Sequence, residues 1–380
     1  MGEHAPAEYI KARIEKTQKR LEDLGVDGLV AFDPAHKGYL SGFTIGTNIA
    51  PGGAVFIGRQ DLPYIYITGG TDREMCQNAL GHLGYEVRSF RSALGQSLNT
   101  QLDEVIKDLG VKRLAVESDY ISVAKLEDLQ EKTGPSGASV ITVNDVVNPL
   151  REVKDDWEIR QIEQANEVNR IAFEQLLEKV RPGVTEWALA AELENQLRRH
   201  GHGSSRLAFQ SIVVSGPRSS LPHGEVTRRE LQAGDLVTID FGATWNGYCC
   251  DVTRTFCVGK ADEKQREVYS AVLDAQIEAI ERMQAKRRRQ DCADHAMELI
   301  RQRGFGDYMA HGAGGHGIGL EVHEGPASRG DEPWEVGNVM TMEPGIYIPG
   351  WGGVRIEDNV VIAQDGPRNI THIAKDFLEI

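Results

Sequence analysis

The sequence predicts an α/β domain over residues 1–150, followed by an α+β domain over residues 151–380 built on a strongly curved antiparallel sheet. Three observations carry this. At 380 residues the chain is too long for one ordinary core. Its first part alternates helix and strand signals, the pattern of an α/β layer around a central sheet. Beyond about residue 206 the pattern becomes short apolar runs with tight turns, split into two groups by a helix-rich stretch at 262–303.

The elements follow in order. Residues 8–24 have the spacing of an amphipathic helix. DGLVAF (27–32), AVFIG (54–58), YIYIT (64–68) and RLAVES (113–118) read as strands. Near 150 the composition shifts: VNPLREVKDDWEI carries a proline, a charged connector and a helix start at Asp155/Asp156. That helix puts Ile159, Ile162, Ala165 or Ala172, Val168 and Leu176 near one face and stops before Pro182-Gly183. A second helix runs from about Thr185 to Gly201.

Composition narrows the function. Hydrophobic residues are 40% and charged residues 26% of the chain, as in a soluble globular protein. No apolar run approaches the roughly 18 residues needed to span a membrane, and the polar N-terminus predicts no signal peptide. Five cysteines without a C-x-x-C pair read as reduced thiols in the cytoplasm. A net charge of −15 argues against nucleic acid. The basic run Lys286–Arg289 is expected to be a solvated connector between helices.

LVTIDFGATWNGYCCDVTRTF (236–256) is the most informative stretch. Asn246-Gly247 between alternating apolar runs is a strong hairpin signal. With those two residues as the loop, Trp245 pairs with Tyr248, Asp240 with Thr253, and Asp251 with Gly242. Asp240 and Asp251 then become diagonal neighbours about 7–8 Å apart on one face. Two carboxylates on a buried face repel unless a cation compensates, and a pair of ions about 3.5–4 Å apart fits the span. Vicinal Cys249-Cys250 on the same hairpin should direct one side chain toward the Asp face and one away, with packing as their role.

VMTMEPGIYI (339–348) and GGVRIEDNVVI (352–362) form a second candidate hairpin, joined through PGWGG. Glu343 is expected in its first strand and Glu357 in its second, with Arg355 on the face of Glu357. His316 and His323 lie seven residues apart in GAGGHGIGLEVHEGP, where the glycines leave their relative direction open. Four carboxylates and one neutral imidazole balance two divalent ions, and an oxygen-rich set of this kind suits Mn, Fe, Co or Zn. A water between two such ions ionises near neutral pH and becomes a hydrolytic nucleophile. The spelling G-x-G-x-x-G at 312–317 is discounted as a dinucleotide loop because no helix follows it. No G-x-S-x-G nucleophile elbow is present.

On these residues the chain resembles the aminopeptidase P/prolidase family of metallopeptidases, over nearly its whole length. YLSGF (39–43) is similar to the family's non-catalytic N-terminal domain, and NPLREVKDDWEIRQIEQA (148–165) to its inter-domain helix. Five blocks are similar to the catalytic motifs: SIVVSGPRSSLPHGEVTRRELQAGDLVTIDFG, GYCCDVTRTF, HGIGLEVHEGP, TMEPGIY and GVRIEDNVVI. The resemblance implies a pita-bread catalytic fold and a metal set of Asp240, Asp251, His316, Glu343 and Glu357. Asp240 would serve one ion, His316 with Glu343 the other, and Asp251 and Glu357 both. It further implies that His223 contacts substrate, His323 stabilises the tetrahedral intermediate, Glu343 moves the proton and Arg355 flanks the metals.

The implied activity is hydrolysis of the bond on the N-terminal side of proline in short peptides, with two divalent ions, manganese foremost, and a homodimer formed through the N-terminal domains. Two other readings are metal-free C–N hydrolysis of the creatinase kind and a non-catalytic binding protein; the intact ligand set speaks against both. Two departures from the family pattern stand out. His311 to His316 spans five positions where four are common, and AKRRRQD (285–291) replaces a usual Pro-Gly turn, expected as a surface change only. Dipeptidases of the family often carry an arginine just after the H-E-x-P block. Here Pro326 is followed by Ala327, Ser328 and Arg329, which leaves dipeptidase and aminopeptidase preferences open.

Overall fold

The computed structural model describes residues 5–44, 53–202, 206–309, 314–327 and 330–380. His311 and Arg329 lie outside the described residues. The chain divides into two compact units, Met1–Arg151 and Glu152–Ile380.

In the first unit the helices are α1 (Ala7–Leu24), α2 (Pro34–Ser41), α3 (Arg73–Leu80), α4 (Leu98–Leu109) and α5 (Val123–Thr133). The strands are β1 (Gly28–Ala31), β2 (Ala54–Gly58), β3 (Tyr64–Gly69), β4 (Glu86–Phe90), β5 (Arg113–Glu117) and β6 (Ser139–Val143). They form one sheet in the order β4-β3-β2-β1-β5-β6. The β1–β2 and β2–β3 pairs are antiparallel; the other neighbours are parallel. The four sequence-expected strands are its four central members. YLSGF is the end of α2, where Gly42 caps the helix at φ 66°. His36 is buried, with Nδ1 2.5 Å from Glu117 Oε1 and Nε2 2.7 Å from Asn148 Oδ1.

The short helix α6 (Asn148–Glu152) spans the division. In the second unit α7 (Asp156–Leu177) starts at a capping box made by Asp155 and Glu158. It buries Ile159, Ile162, Ala165, Val168, Ala172 and Leu176. Thr185 caps α8 (Glu186–His200). Then come β7 (Ile212–Ser215), β8 (Leu236–Phe241), β9 (Thr244–Trp245), β10 (Tyr248–Cys249) and β11 (Val252–Cys257). After α9 (Glu263–Arg282) and α10 (Gln290–Gln302) follow β12 (His316–Gly317), β13 (Glu324–Ala327), β14 (Val339–Met342), β15 (Gly345–Ile348), β16 (Gly352–Arg355), β17 (Asp358–Ala363) and β18 (Gly366–Asn369). All pairings among these strands are antiparallel. One core packs α7 and α8 on β7, β8 and β11. A second packs α9 and α10 on β14 to β17.

The basic connector is not simply solvated. Arg289 is buried, with its guanidinium over the Trp334 ring, and donates to Pro333 O. The N–H of Lys286 bonds Trp334 O, and Trp334 N–H bonds Arg287 O. The departure at 285–291 therefore reaches the core through Trp334, because the connector pairs with the 330–334 segment rather than looping into water.

Candidate metal centre

The first hairpin forms in the expected register. Asn246 (φ 49°) and Gly247 (φ 87°) make the two-residue turn, Trp245 faces Tyr248, and Asp240 faces Thr253. The regular ladder stops on either side of Asp251. Continuing the register puts Asp251 opposite Gly242, where a Cβ would lie 2.2 Å from Cys250 O, so only glycine fits. Cys249 and Cys250 are both buried; Cys250 packs in the α7–α8 core.

The second hairpin is also in register, but its strands break at the glutamates. Met342 faces Asp358 and Gly345 faces Arg355, so Glu343 and Glu357 oppose each other in the gap between two ladders. This corrects the expectation that both lie within strands. Pro344 has no N–H to donate, and the interrupted ladder frees both glutamates to turn inward.

Of the predicted groups, Asp251, His316, His323, Glu343 and Glu357 come together, and Asp240 is tied in through Arg355. His316 Nε2 lies 3.5 Å from Asp251 Oδ2 and 3.6 Å from Glu343 Oε1. Donor atoms of Asp251, His316 and Glu357 all lie within 4.8 Å of one another. The His323 ring meets the His316 ring edge-on at 4.1 Å, which settles the direction left open by the glycines. Arg355, buried, donates from Nη2 to Asp240, from Nε to Thr253 Oγ1 (2.8 Å), and from Nη1 to Tyr347 Oη (3.0 Å) and Pro222 O (3.1 Å). Thr253 in turn donates to Glu357 Oε2 at 2.6 Å. His223, beside Pro222, is exposed.

Electrostatics set the chemistry. Burial, followed by the charges of Glu357, Asp240 and Glu343, pushes the Asp251 carboxyl well above the usual carboxylate range. Burial and the charges of Glu343 and Asp240 do the same to Glu357, against the opposing pull of Arg355 and Thr253. Burial and the nearby His316 lower His323, with His223 adding to the effect and Asp240 opposing it. Three buried carboxylate oxygens, Asp240 Oδ1, Asp251 Oδ1 and Glu357 Oε1, have no hydrogen-bond partner among the described residues. Such atoms are costly to bury. The carboxylates of Asp251 and Glu357 grouped with the His316 imidazole fit a divalent cation that takes oxygen and nitrogen donors.

Sequence reading missed four supporting residues. Thr253 was visible as the cross-strand partner of Asp240, but its link between Arg355 and Glu357 needs the second hairpin. Tyr347 holds Arg355. Thr341 Oγ1 accepts from the His316 N–H at 3.0 Å and reaches Glu343 Oε1 at 3.3 Å. Asn359 donates to Asp251 O at 2.7 Å, and a fully buried Asn in an apolar strand was its one available signal.

Comparison with known proteins follows the same division. Residues 160–364 match the model of metallopeptidase family M24, and residues 13–153 match that of the creatinase/prolidase N-terminal domain. The chain belongs to metallopeptidase family M24. The Xaa-Pro dipeptidase of Pyrococcus furiosus is 35% identical over 97% of this chain and 100% of that protein. The solved Xaa-Pro dipeptidase from Bacillus anthracis superposes with a TM-score of 0.89 at 34% identity, covering 98% of this chain and 100% of that one. The X-Pro aminopeptidase from Thermotoga maritima gives 0.85 at 34% identity, over 95% and 100%. Among the described residues, no helix is long and apolar enough to cross a membrane.

Proposed function

We propose that this chain is a metal-dependent Xaa-Pro peptidase, cleaving the bond on the N-terminal side of proline in short peptides. The observation that carries the reading is the clustering of donor atoms of Asp251, His316 and Glu357 within 4.8 Å of one another, with buried oxygens of Asp251 and Glu357 left without a hydrogen-bond partner among the described residues. Asp240 would hold one ion, His316 and Glu343 the other, and Asp251 and Glu357 both. Manganese is the first candidate, with Zn, Co and Fe compatible with the same donors. When bound, the ions polarise the scissile carbonyl and supply a nucleophile at neutral pH.

The remaining work falls to side chains. Glu343, the least buried of the carboxylates beside His316, takes the proton of the attacking water and passes it to the leaving nitrogen. His323 donates to the developing oxyanion; burial, with the neighbouring imidazoles, holds its pKa below the ordinary histidine value. His223 holds the substrate. Arg355 orients Asp240 directly and Glu357 through Thr253. An X-Pro bond is a tertiary amide without an N–H, and this site attacks its carbonyl without needing one. The names of the relatives, dipeptidase and aminopeptidase alike, support proline specificity. The same intact donor set favours this reading over metal-free C–N hydrolysis and over a non-catalytic binding role.

Protein dialysed against EDTA should lose activity on an Xaa-Pro dipeptide and regain it with manganese. Full activity after metal removal, confirmed by elemental analysis, overturns the reading. The N-terminal unit is assigned a non-catalytic role in homodimer formation, which light scattering at micromolar concentration tests. Five buried cysteines, none in a disulfide among the described residues, support a reducing, cytoplasmic setting.

A further inference from the structure

The loop that carries His223 is closed at its base by a carboxylate with no assigned part in the reaction. Glu186 is the first residue of α8, and its side chain is fully buried. Oε1 accepts from the N–H (2.9 Å) and the hydroxyl (2.7 Å) of Ser215. Oε2 accepts from the N–H (3.0 Å) and the hydroxyl (2.6 Å) of Thr227. Ser215 ends β7, and Thr227 follows His223 by four residues, so one side chain joins both ends of segment 215–227.

The backbone extends the seam. Glu186 N–H bonds Arg229 O at 3.0 Å, and Trp187 N–H bonds Thr227 O at 3.0 Å. Cations offset the buried charge: Arg218 Nε lies 3.4 Å from Oε2, and Arg229 donates to Ser215 Oγ at 2.7 Å. Within the loop, Ser219 Oγ accepts from Gly353 N–H at 2.8 Å, and Pro222 O accepts from Arg355 at 3.1 Å. Gly224 sits where a Cβ would come within 2.7 Å of Val214. With its ends pinned and its middle tied to β16, the loop offers His223 one backbone position.

We infer that Glu186 is a positioning residue for His223, acting through the loop rather than by touching substrate. The inference rests on the Xaa-Pro peptidase reading and on the role given there to His223. An ionised carboxylate is an acceptor only, which is what four converging donors require. A glutamine keeps the shape but turns an NH2 toward one pair of those donors and releases one end of the loop. A displacement of about 1 Å in a substrate-positioning group costs on the order of 100-fold in rate.

The test is a double-mutant cycle of Glu186→Gln and His223→Ala, with kcat, KM and bound manganese measured for an Xaa-Pro dipeptide. Glu186→Gln is expected to lower kcat/KM by about 10–100-fold with bound metal unchanged. Added to His223→Ala, it should lower the rate no further, because coupled residues are non-additive. If the losses multiply, or if metal falls in step with activity, Glu186 serves the fold and the inference is overturned. A normal rate for His223→Ala removes the role assigned to His223 and the inference with it. If Glu186→Gln is recovered unfolded, Thr227→Val deletes one hydroxyl donor, keeps the carboxylate, and runs the same cycle with the same two outcomes.

Discussion

Asp251→Asn should act in opposite directions on the metal-free and the metal-loaded protein. Without metal, Asp251 and Glu357 are buried carboxyl groups that become like charges when both ionise, with donor atoms within 4.8 Å. At that separation and an effective dielectric of about 20, repulsion between two unit charges is about 3.5 kcal/mol. Both carboxyls are held well above their unfolded values, by burial first and then by neighbouring carboxylates, Glu357 acting on Asp251 and Glu343 on Glu357. A raised carboxyl contributes stability below its unfolded pKa and loses it as pH rises through the folded one. Metal-free wild type should therefore lose stability with rising pH, and the variant less so. In a unit of this size about 1 kcal/mol moves Tm by roughly 2–4 °C, which bounds the metal-free gain at about 14 °C. Manganese at 100 times its Kd adds about 2.7 kcal/mol to the wild type, or roughly 5–11 °C, and should add almost nothing to the variant. Scanning calorimetry at pH 8, with and without manganese, reads both effects. A variant that is less stable without metal, yet gains as much from manganese as wild type, refutes the reasoning.

Other perturbations separate the parts. His323→Ala should lower kcat by about 100–1000-fold with metal content near wild type; an unchanged kcat makes His323 structural. Arg254→Met removes a buried partner of Asp358 (2.7 Å), leaving Lys375 as its cation, and should cost about 3–5 kcal/mol. A Tm within a degree or two of wild type would show that Lys375 suffices. In the first unit, burial alone would lower His36, but the hydrogen bond and charge of Glu117 and the charge of Asp33 raise it. Its contribution is full below about pH 6.5 and is lost as pH rises through the higher folded value. His36→Gln should thus destabilise that unit most below about pH 6.5 and progressively less as pH rises above it, and an unaltered pH profile contradicts the assignment.

Much of the centre was legible because hairpin chemistry is local. Asn246-Gly247 defines the turn, and one register then places Asp240, Thr253 and Asp251. Glu343 and Glu357 were legible only as carboxylates on adjacent strands of the second hairpin; their direct opposition comes from the structure. The breaks beside these residues were not legible, because an interruption depends on which backbone groups find partners across the sheet. The edge strands β4 and β6 also escaped: they are partly exposed on both faces and lack the apolar run of a central strand. Arg289 looked like one more charge in a solvated connector until Trp334 was seen beneath it. Glu186 gave no signal, since its partners lie 29 and 41 residues away.

The most direct measurement is a rate comparison on manganese-loaded protein with matched Xaa-Pro, Xaa-Pro-Yaa and Xaa-Ala peptides, and with creatine. Xaa-Pro or Xaa-Pro-Yaa should be cut at least about ten times faster than the alanine peptides, the discrimination a small apolar pocket supplies at 1–3 kcal/mol. Which of the two proline substrates is preferred separates dipeptidase from aminopeptidase. Equal rates on alanine peptides would contradict proline specificity, and turnover of creatine alone would contradict the peptidase assignment itself.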